Sequence, residues 1–117
     1  RNFLAELEKL EPFGTGNPKP LFARKQISIL SMAKLGKTGK FRRIRIADEQ
    51  GNPYQAVYFG DGEEMDRYLM QKYGERLMQG YRGGLMQGQM EISIVYSPQI
   101  NSYNGRESIQ ILIQYYQ

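Results

Sequence analysis

Residues 41–59 read FRRIRIADEQGNPYQAVYF, and their pattern predicts two neighbouring β-strands. In the first half, Ile44 and Ile46 fall on one face of an extended chain, whereas Arg43 and Arg45 fall on the other. A polar segment containing Gly and Pro separates the halves, and the second half is apolar and aromatic. The predicted elements are strands at residues 41–48 and 54–59, with a hairpin loop at residues 48–53.

Similar patterns extend on both sides of this hairpin. An alternating segment lies upstream and ends in a turn in which glycines bracket polar residues. Downstream, Asp61 followed by Glu64 forms a capping-box pattern that starts a helix. Two more alternating segments follow, and Asn104-Gly105 between them is a strong hairpin signal. The remaining predicted elements are a strand at 26–35, a helix from Asp61 to Gly74 or just beyond Leu77, strands at 90–96 and 108–116, and a polar loop at 98–107.

The predicted order along the chain is three strands, one helix and two strands. This is the order of the OB-fold, a mainly β architecture. It is a five-stranded Greek-key barrel with a helix between strands three and four. OB-folds bind ligands along strands two and three, and at the loops that join strands one to two and four to five. The periodicity therefore predicts both the fold and the surface where function is expected.

The charge distribution favours a polyanionic partner. The 117 residues carry a formal net charge of +4, and nine of the 16 basic residues fall between Pro12 and Ala47, where no acidic residue occurs. A basic half facing an acidic half creates an oriented potential that attracts polyanions. The nine residues are Lys19, Arg24, Lys25, Lys34, Lys37, Lys40, Arg42, Arg43 and Arg45.

Composition also limits the class of protein. The length suits one domain with a single modest core. The absence of cysteine excludes disulfides and thiolate metal sites, and no apolar run is long enough for a membrane span. No signal-peptide pattern opens the chain, and Arg1 in place of Met suggests a piece of a longer protein. We therefore expect a cytoplasmic location and no membrane partner.

Cationic and aromatic residues fall at each place where an OB-fold binds its ligands. Lysine and arginine neutralise phosphates, and tyrosine rings stack on bases whatever their sequence. Alternatives stay open: a plain solvated face for the arginines, half-buried barrel positions for the tyrosines, and turn formation for the asparagines. The candidate nucleic-acid-binding residues are Lys37 and Lys40 in the first loop, Arg43 and Arg45 on strand two, Tyr54 and Tyr58 on strand three, and Asn101, Tyr103 and Arg106 in the last loop.

Residues 11–22 read EPFGTGNPKPLF, and this run indicates a rigid connector upstream of the barrel. Proline fixes φ, glycine and asparagine tolerate positive φ, and Phe13 and Phe22 can anchor the run to a core. Before it, residues 2–10 carry apolar side chains at helical spacing. The predicted organisation is a short helix and connector over residues 1–22, followed by an OB-fold over residues 23–117.

The sequence PFGTGNPKPLF at residues 12–22 resembles the PFGxGNPxPxF signature of the RecJ-type single-strand-specific exonucleases. A second similar stretch lies at residues 100–110, where INSYNGR is followed by SIQ. One position departs from the family pattern, because Phe41 stands where relatives often carry His. The residues to which we assign a structural role are Pro12, Phe13, Gly14, Gly16, Asn17, Pro18 and Gly105.

The resemblance implies a parent protein that degrades single-stranded DNA from the 5′ end in recombination and repair. Such enzymes use Mg²⁺ or Mn²⁺ held by Asp/His motifs, and this chain carries none of those motifs. We therefore expect no catalytic residue, metal or cofactor in this chain. The expected partners are single-stranded DNA and the catalytic domains of the parent chain, toward which the OB-fold would guide the strand.

Other interpretations stay open on the sequence. A catalytic site would have to be built from carboxylates, because His and Cys are absent. An OB-fold also serves as a protein-interaction or structural module, and residues 77–90 are then a candidate docking segment. A further alternative is an RNA-binding module.

Leu-Met-Gln recurs at residues 69, 77 and 85, which we interpret as an insertion without a proposed function. The dense carboxylate group is explained by the preference of acidic residues for a helix N-terminus; it comprises Asp61, Glu63, Glu64 and Asp66.

Overall fold

The computed structural model describes residues 21–117, apart from the side chains of Asn101 and Tyr103. The predicted helix at residues 2–10 and nearly all of the connector lie outside the described residues. The motif residues outside this range are Pro12, Phe13, Gly14, Gly16, Asn17 and Pro18.

Within the described residues, five strands close into a barrel in the order β1-β2-β3-β5-β4. β3 and β5 pair in parallel, and the other pairs are antiparallel. Two helices lie between β3 and β4. The predicted fold, a mainly β OB-fold barrel, is confirmed. The elements are β1 (Phe22–Leu35), β2 (Phe41–Ala47), β3 (Pro53–Tyr58), α1 (Gly62–Tyr73), α2 (Arg76–Tyr81), β4 (Glu91–Tyr103) and β5 (Arg106–Tyr116).

β1 begins earlier than predicted because it serves two neighbours. Its first half pairs with β4 and its second half with β2. The register shifts between Arg24 and Ile27, and such a bulge bends a strand and increases its twist. Gln26 lies in this bulge with φ of 56°, and its backbone N–H donates to Ser93 Oγ at 3.2 Å. One long bent strand thus closes the barrel.

The predicted polar loop at residues 98–107 is wrong, because β4 and β5 remain paired almost to the turn. β4 runs to Tyr103, and β5 starts at Arg106. Asn104 and Gly105 have φ of 51° and 75°, which fits a two-residue turn with positive φ at both positions. The turn prediction is therefore correct. The strand extension escaped detection because polar residues here break the apolar alternation that marks a half-buried strand.

α1 begins where the sequence predicts. Asp61 is the N-cap, and its Oδ1 accepts hydrogen bonds from the backbone N–H groups of Glu63 at 3.1 Å and Glu64 at 3.2 Å. Gly74, with φ of 63°, follows the last residue of α1. The predicted end at Gly74 is therefore correct, and α2 is a separate short helix that the sequence analysis did not predict.

The leucines of the Leu-Met-Gln repeat contribute to the core. Leu69 and Leu77 are buried and Leu85 packs against the core, whereas Met70 and Met86 are exposed. The repeat therefore has a packing role, which its interpretation as an insertion left out. The core is Ile27, Ile29, Met32, Ile44, Ile46, Ala56, Met65, Leu69, Leu77, Met90, Ile92, Ile94, Tyr96, Ile111 and Ile113.

Candidate nucleic-acid interface

Arg43 and Arg45 lie on the outer face of β2. Ile44 and Ile46, which alternate with them, are fully buried at 0% exposure, whereas both arginines are exposed. The period-two alternation read from the sequence is confirmed. Two guanidinium groups are therefore available to solvent on one strand.

Tyr54 and Tyr58 face away from these arginines. In the β2–β3 register, Tyr54 lies opposite Ile46 and Tyr58 lies opposite Arg42, and directly opposite residues share a face of the sheet. Both tyrosines therefore lie on the inner face, where they are half-buried and pack against the core. These rings therefore do not converge with the exposed arginines, because the β2–β3 register, which the sequence does not specify, places the two sets on opposite faces.

A different aromatic pair lies beside the arginines. Phe41 precedes Arg43 by two residues on β2 and so shares its outer face. Its ring meets that of Phe59, which directly follows β3, with centroids 5.2 Å apart and planes at 74°. Phe59 is 55% exposed. A Cβ added to Gly36 would approach Phe41 Cδ2 to 3.1 Å, so the Phe41 ring packs closely over that glycine.

The sequence analysis did not select either phenylalanine. Counting back by two from Arg43 would have placed Phe41 on the outer face. The predicted strand at residues 54–59 included Phe59, and the same counting places it on the face opposite to Tyr54 and Tyr58, although β3 itself ends at Tyr58. Only the folded chain shows that the two rings meet.

Lys37 and Lys40 are exposed in the β1–β2 loop, at the end of the outer face where β2 starts. The N–H of Gly39 donates to the carbonyl of Gly36 at 3.1 Å, which closes the turn. The carbonyl of Lys40 accepts from the N–H of Gly62 at 2.9 Å. The loop is therefore fixed against the start of α1, and Lys40 directly precedes Phe41 in sequence.

Arg42, unlike its two neighbours on β2, is buried, with 1% of its side chain exposed. Its Nη2 donates to Asp66 Oδ2 at 2.9 Å and its Nε donates to Asp66 Oδ1 at 3.2 Å. Its Nη1 donates to the carbonyls of Gly39 at 2.6 Å and Phe41 at 2.8 Å. Tyr81 completes the cluster by donating its hydroxyl to Asp66 Oδ1 at 2.5 Å.

This cluster joins the start of β2 to both helices. Burial alone would lower the pKa of the Arg42 guanidinium. The hydrogen bonds with Asp66 and the negative charge of that carboxylate outweigh burial, so the pKa is raised. Burial and the Asp66 carboxylate also raise the pKa of the Tyr81 hydroxyl. Arg42 is therefore charged and occupied by internal partners. Its role is to fix the backbone between the lysine-bearing loop and the outer face.

Arg106 lies at the other end of the outer face. β3 is antiparallel to β2 and β5 is parallel to β3, so β5 starts at the end where β2 finishes. Arg106 opens β5 and is exposed. The roles predicted for the Asn101 and Tyr103 side chains stay predictions.

A groove of about 510 Å³ lies at the base of the β4–β5 hairpin. Its lining residues are Pro53, Tyr54, Gln55, Ile100, Glu107, Ser108 and Ile109.

Comparison with known proteins decides the family. The family model of the RecJ OB domain matches residues 1–115. The chain belongs to the RecJ OB domain family. This confirms the resemblance drawn from the two sequence motifs. No curated protein sequence matches the chain significantly.

Crystal structures of a mitochondrial single-stranded DNA binding protein are similar to this RecJ OB domain. Crystal form 1 of Rim1, a mitochondrial single-stranded DNA binding protein of S. cerevisiae, superposes with a TM-score of 0.51 at 10% identity, covering 86% of this chain and 95% of that chain. Crystal form 2 gives a TM-score of 0.49 at 8% identity, covering 86% and 92%. At such identity the likeness to form 1 shows the fold alone.

Two carboxylates of the acidic group at the start of α1 have structural partners. Asp61 caps α1 and Asp66 holds Arg42. Across residues 21–117, no group of three or more His, Cys, Asp or Glu is arranged to hold a metal ion. Over the same residues, neither helix combines the length and the apolar character that crossing a membrane requires.

Proposed function

We propose that this domain binds single-stranded DNA along the outer face of β2 and β3. We further propose that it serves a RecJ-type 5′–3′ exonuclease in recombination and repair, by guiding the strand to a catalytic centre elsewhere in the parent chain. Membership of the RecJ OB domain family supports this proposal. So does the fold shared with Rim1, whose name describes it as a single-stranded DNA binding protein.

One observation carries the proposal: two exposed guanidinium groups lie on the same face as a pair of phenylalanine rings, of which Phe59 is exposed and Phe41 is half-buried. Arg43 and Arg45 can neutralise phosphates, and the Phe41–Phe59 pair offers ring surface for a base. A single strand presents both groups along its length, and stacking does not require a particular sequence. The face therefore suits binding of a single strand without sequence preference.

Lys37 and Lys40 at one end and Arg106 at the other extend the positive charge along this face. A strand that spans both ends would contact all these residues. Because phosphate contacts release counterions, affinity should fall steeply with salt, by about 0.7 in logarithmic slope for each phosphate neutralised. The salt slope therefore measures how many cations the strand contacts.

Fluorescence anisotropy with labelled oligothymidylate tests this proposal. The double variant Arg43→Gln/Arg45→Gln should lower the salt slope by about 1.4, because two phosphate contacts are lost. Arg67→Gln/Arg82→Gln is the matched control, since it removes the same charge from exposed positions on and after the helices. Equal slopes for the two double variants would count against the outer face.

Phe59→Ser separates stacking from charge. It should weaken binding at every salt concentration, by roughly tenfold for the loss of one stacked base, and leave the salt slope unchanged.

RNA and DNA strands of equal length distinguish a DNA-binding domain from an RNA-binding module. No binding to either strand, together with capture of a protein at physiological salt, would favour the protein-interaction alternative.

We propose that hydrolysis belongs to the catalytic half of the parent, with Mg²⁺ or Mn²⁺ bound there. In support, Asp61 and Asp66 of this domain are engaged in a helix cap and an ion pair. The 117-residue chain should leave a labelled strand intact in the presence of either metal. Cleavage that tracks with the purified chain and disappears with chelation would contradict this assignment.

A further inference from the structure

A second surface, at the end of β3 and β5, has the opposite character. A pocket of about 340 Å³ is lined by Tyr58, Glu64, Tyr68, Gln114, Tyr115, Tyr116 and Gln117. Among these described residues none is basic, and four of the seven are tyrosines. The pocket is distinct from the outer face of β2 and β3, because Tyr58 points to the inner side of the sheet.

Three of the rings form one connected cluster. Tyr58 and Tyr116 meet edge to face, with centroids 5.3 Å apart and planes at 88°. Tyr68 of α1 lies against Tyr116 at 5.6 Å. Rings from β3, α1 and β5 thus hold one another in place, so the pocket is built before any ligand arrives.

The electrostatic environment of these rings is negative. Glu64 lines the pocket and is exposed in the first turn of α1. Burial and the charges of Glu64 and Asp61 raise the pKa of Tyr58. Burial, with neighbouring Tyr58 and the same two carboxylates, raises the pKa of Tyr116 to about 12. A phosphate would be repelled here, whereas a cation would be attracted.

One ring of this cluster, Tyr68, already accepts a cation from within the chain. Lys72 places its Nζ 5.7 Å from the centroid of Tyr68 and 5.7 Å from that of Tyr73, at the edge of the same cluster. Aromatic faces attract such groups through their quadrupole. A planar guanidinium gains more than an ammonium does, because it stacks on rings and pairs with a carboxylate in a fixed geometry.

We propose that this tyrosine pocket binds an arginine side chain of a partner protein, with Glu64 as its counter-charge. The basic residues of this domain cluster between Pro12 and Ala47. All pocket residues lie later in the sequence, at residues 58–117, where acidic residues outnumber basic ones. A basic protein segment therefore complements this end of the barrel. A DNA strand occupies a different face, so both partners can be bound at once.

The experiment is an NMR titration of the isotope-labelled chain with an end-blocked Gly-Arg-Gly tripeptide, and with Gly-Gln-Gly as the uncharged control. Saturable shifts at Tyr68 and Tyr116 with the arginine tripeptide alone are expected. Glu64→Gln should weaken this binding by about threefold, the size expected for an exposed ion pair. Glu63→Gln is the matched control, because it is also exposed in the first turn of α1 but does not line the pocket.

Several results would overturn the proposal. Equal shifts with both tripeptides would show that charge is not recognised, and equal weakening by the two glutamate variants would remove Glu64 from the site. Displacement of the arginine tripeptide by oligothymidylate would make the pocket part of the DNA path. If the Tyr116 signals shift with protein concentration in the absence of any peptide, the occupant of the pocket is a second copy of the chain.

Discussion

Arg42→Met should strongly destabilise the barrel. Methionine replaces the apolar stem of the arginine side chain but has no guanidinium group. The substitution therefore removes four hydrogen bonds, two to the Asp66 carboxylate and two to the carbonyls of Gly39 and Phe41. Removing one partner of a buried ion pair costs about 3–5 kcal/mol. Asp66 keeps 25% of its side chain exposed and still accepts from Tyr81, so we expect the lower end, about 3 kcal/mol.

Urea denaturation followed by circular dichroism measures this loss directly. Each kcal/mol of lost stability lowers the melting temperature of a small domain by about 4–8 °C, so Arg42→Met should lower it by about 12 °C or more. Arg67→Met is the control, since Arg67 lies on α1 and is exposed. It should change the free energy of unfolding by less than about 0.5 kcal/mol.

A double-mutant cycle tests the reason for the loss. Asp66→Leu alone leaves a buried guanidinium without its carboxylate and should also be costly. Combined with Arg42→Met, it replaces the pair by apolar groups, so the double variant should be more stable than the sum of the single losses predicts. Simple additivity, or a loss below about 1 kcal/mol for Arg42→Met, would refute the view that this pair fixes the start of β2.

Three further predictions concern packing, backbone and pH. Gly62→Ala should cost about 1–3 kcal/mol in urea denaturation, because its Cβ would lie 2.5 Å from Arg42 Nη1, whereas Gly84→Ala, whose Cβ meets an ordinary 3.8 Å contact, should be tolerated. Gln26→Val should be less stable than Gln26→Gly by about 1–2 kcal/mol, because the wild-type φ is 56°; equal stabilities would contradict this. The pKa of Tyr116 is raised by burial and neighbouring charge to about 12 in the folded chain. The unfolded chain ionises first, so stability should fall as pH rises from 10 to 12, and less steeply for Tyr116→Phe.

Much of the barrel could be predicted from periodicity alone. Alternation fixed the outward direction of Arg43 and Arg45, and Asn104-Gly105 fixed the turn between β4 and β5. The same alternation places Arg42 on the inner face with Ile44, although the sequence analysis grouped it with the other cations. Its partner Asp66 lies 24 residues away, and no local pattern connects them.

The aromatic part of the site could not be predicted from sequence. Which tyrosines face outward depends on the register between β2 and β3, and that register is set by a loop whose geometry the sequence leaves open. Phe59 lies past the end of β3 and contacts Phe41 only because β3 folds back along β2. Long-range pairing, rather than local propensity, decides which rings lie on the outer face.

Chemical-shift mapping with oligothymidylate tests the central proposal most directly. We predict that the strand shifts the amide and side-chain signals of Phe41, Arg43, Arg45 and Phe59, and that the signals of Tyr68 on the far helix stay in place. Shifts confined to the helices, or spread evenly over the barrel without saturation, would contradict binding at the outer face of β2 and β3.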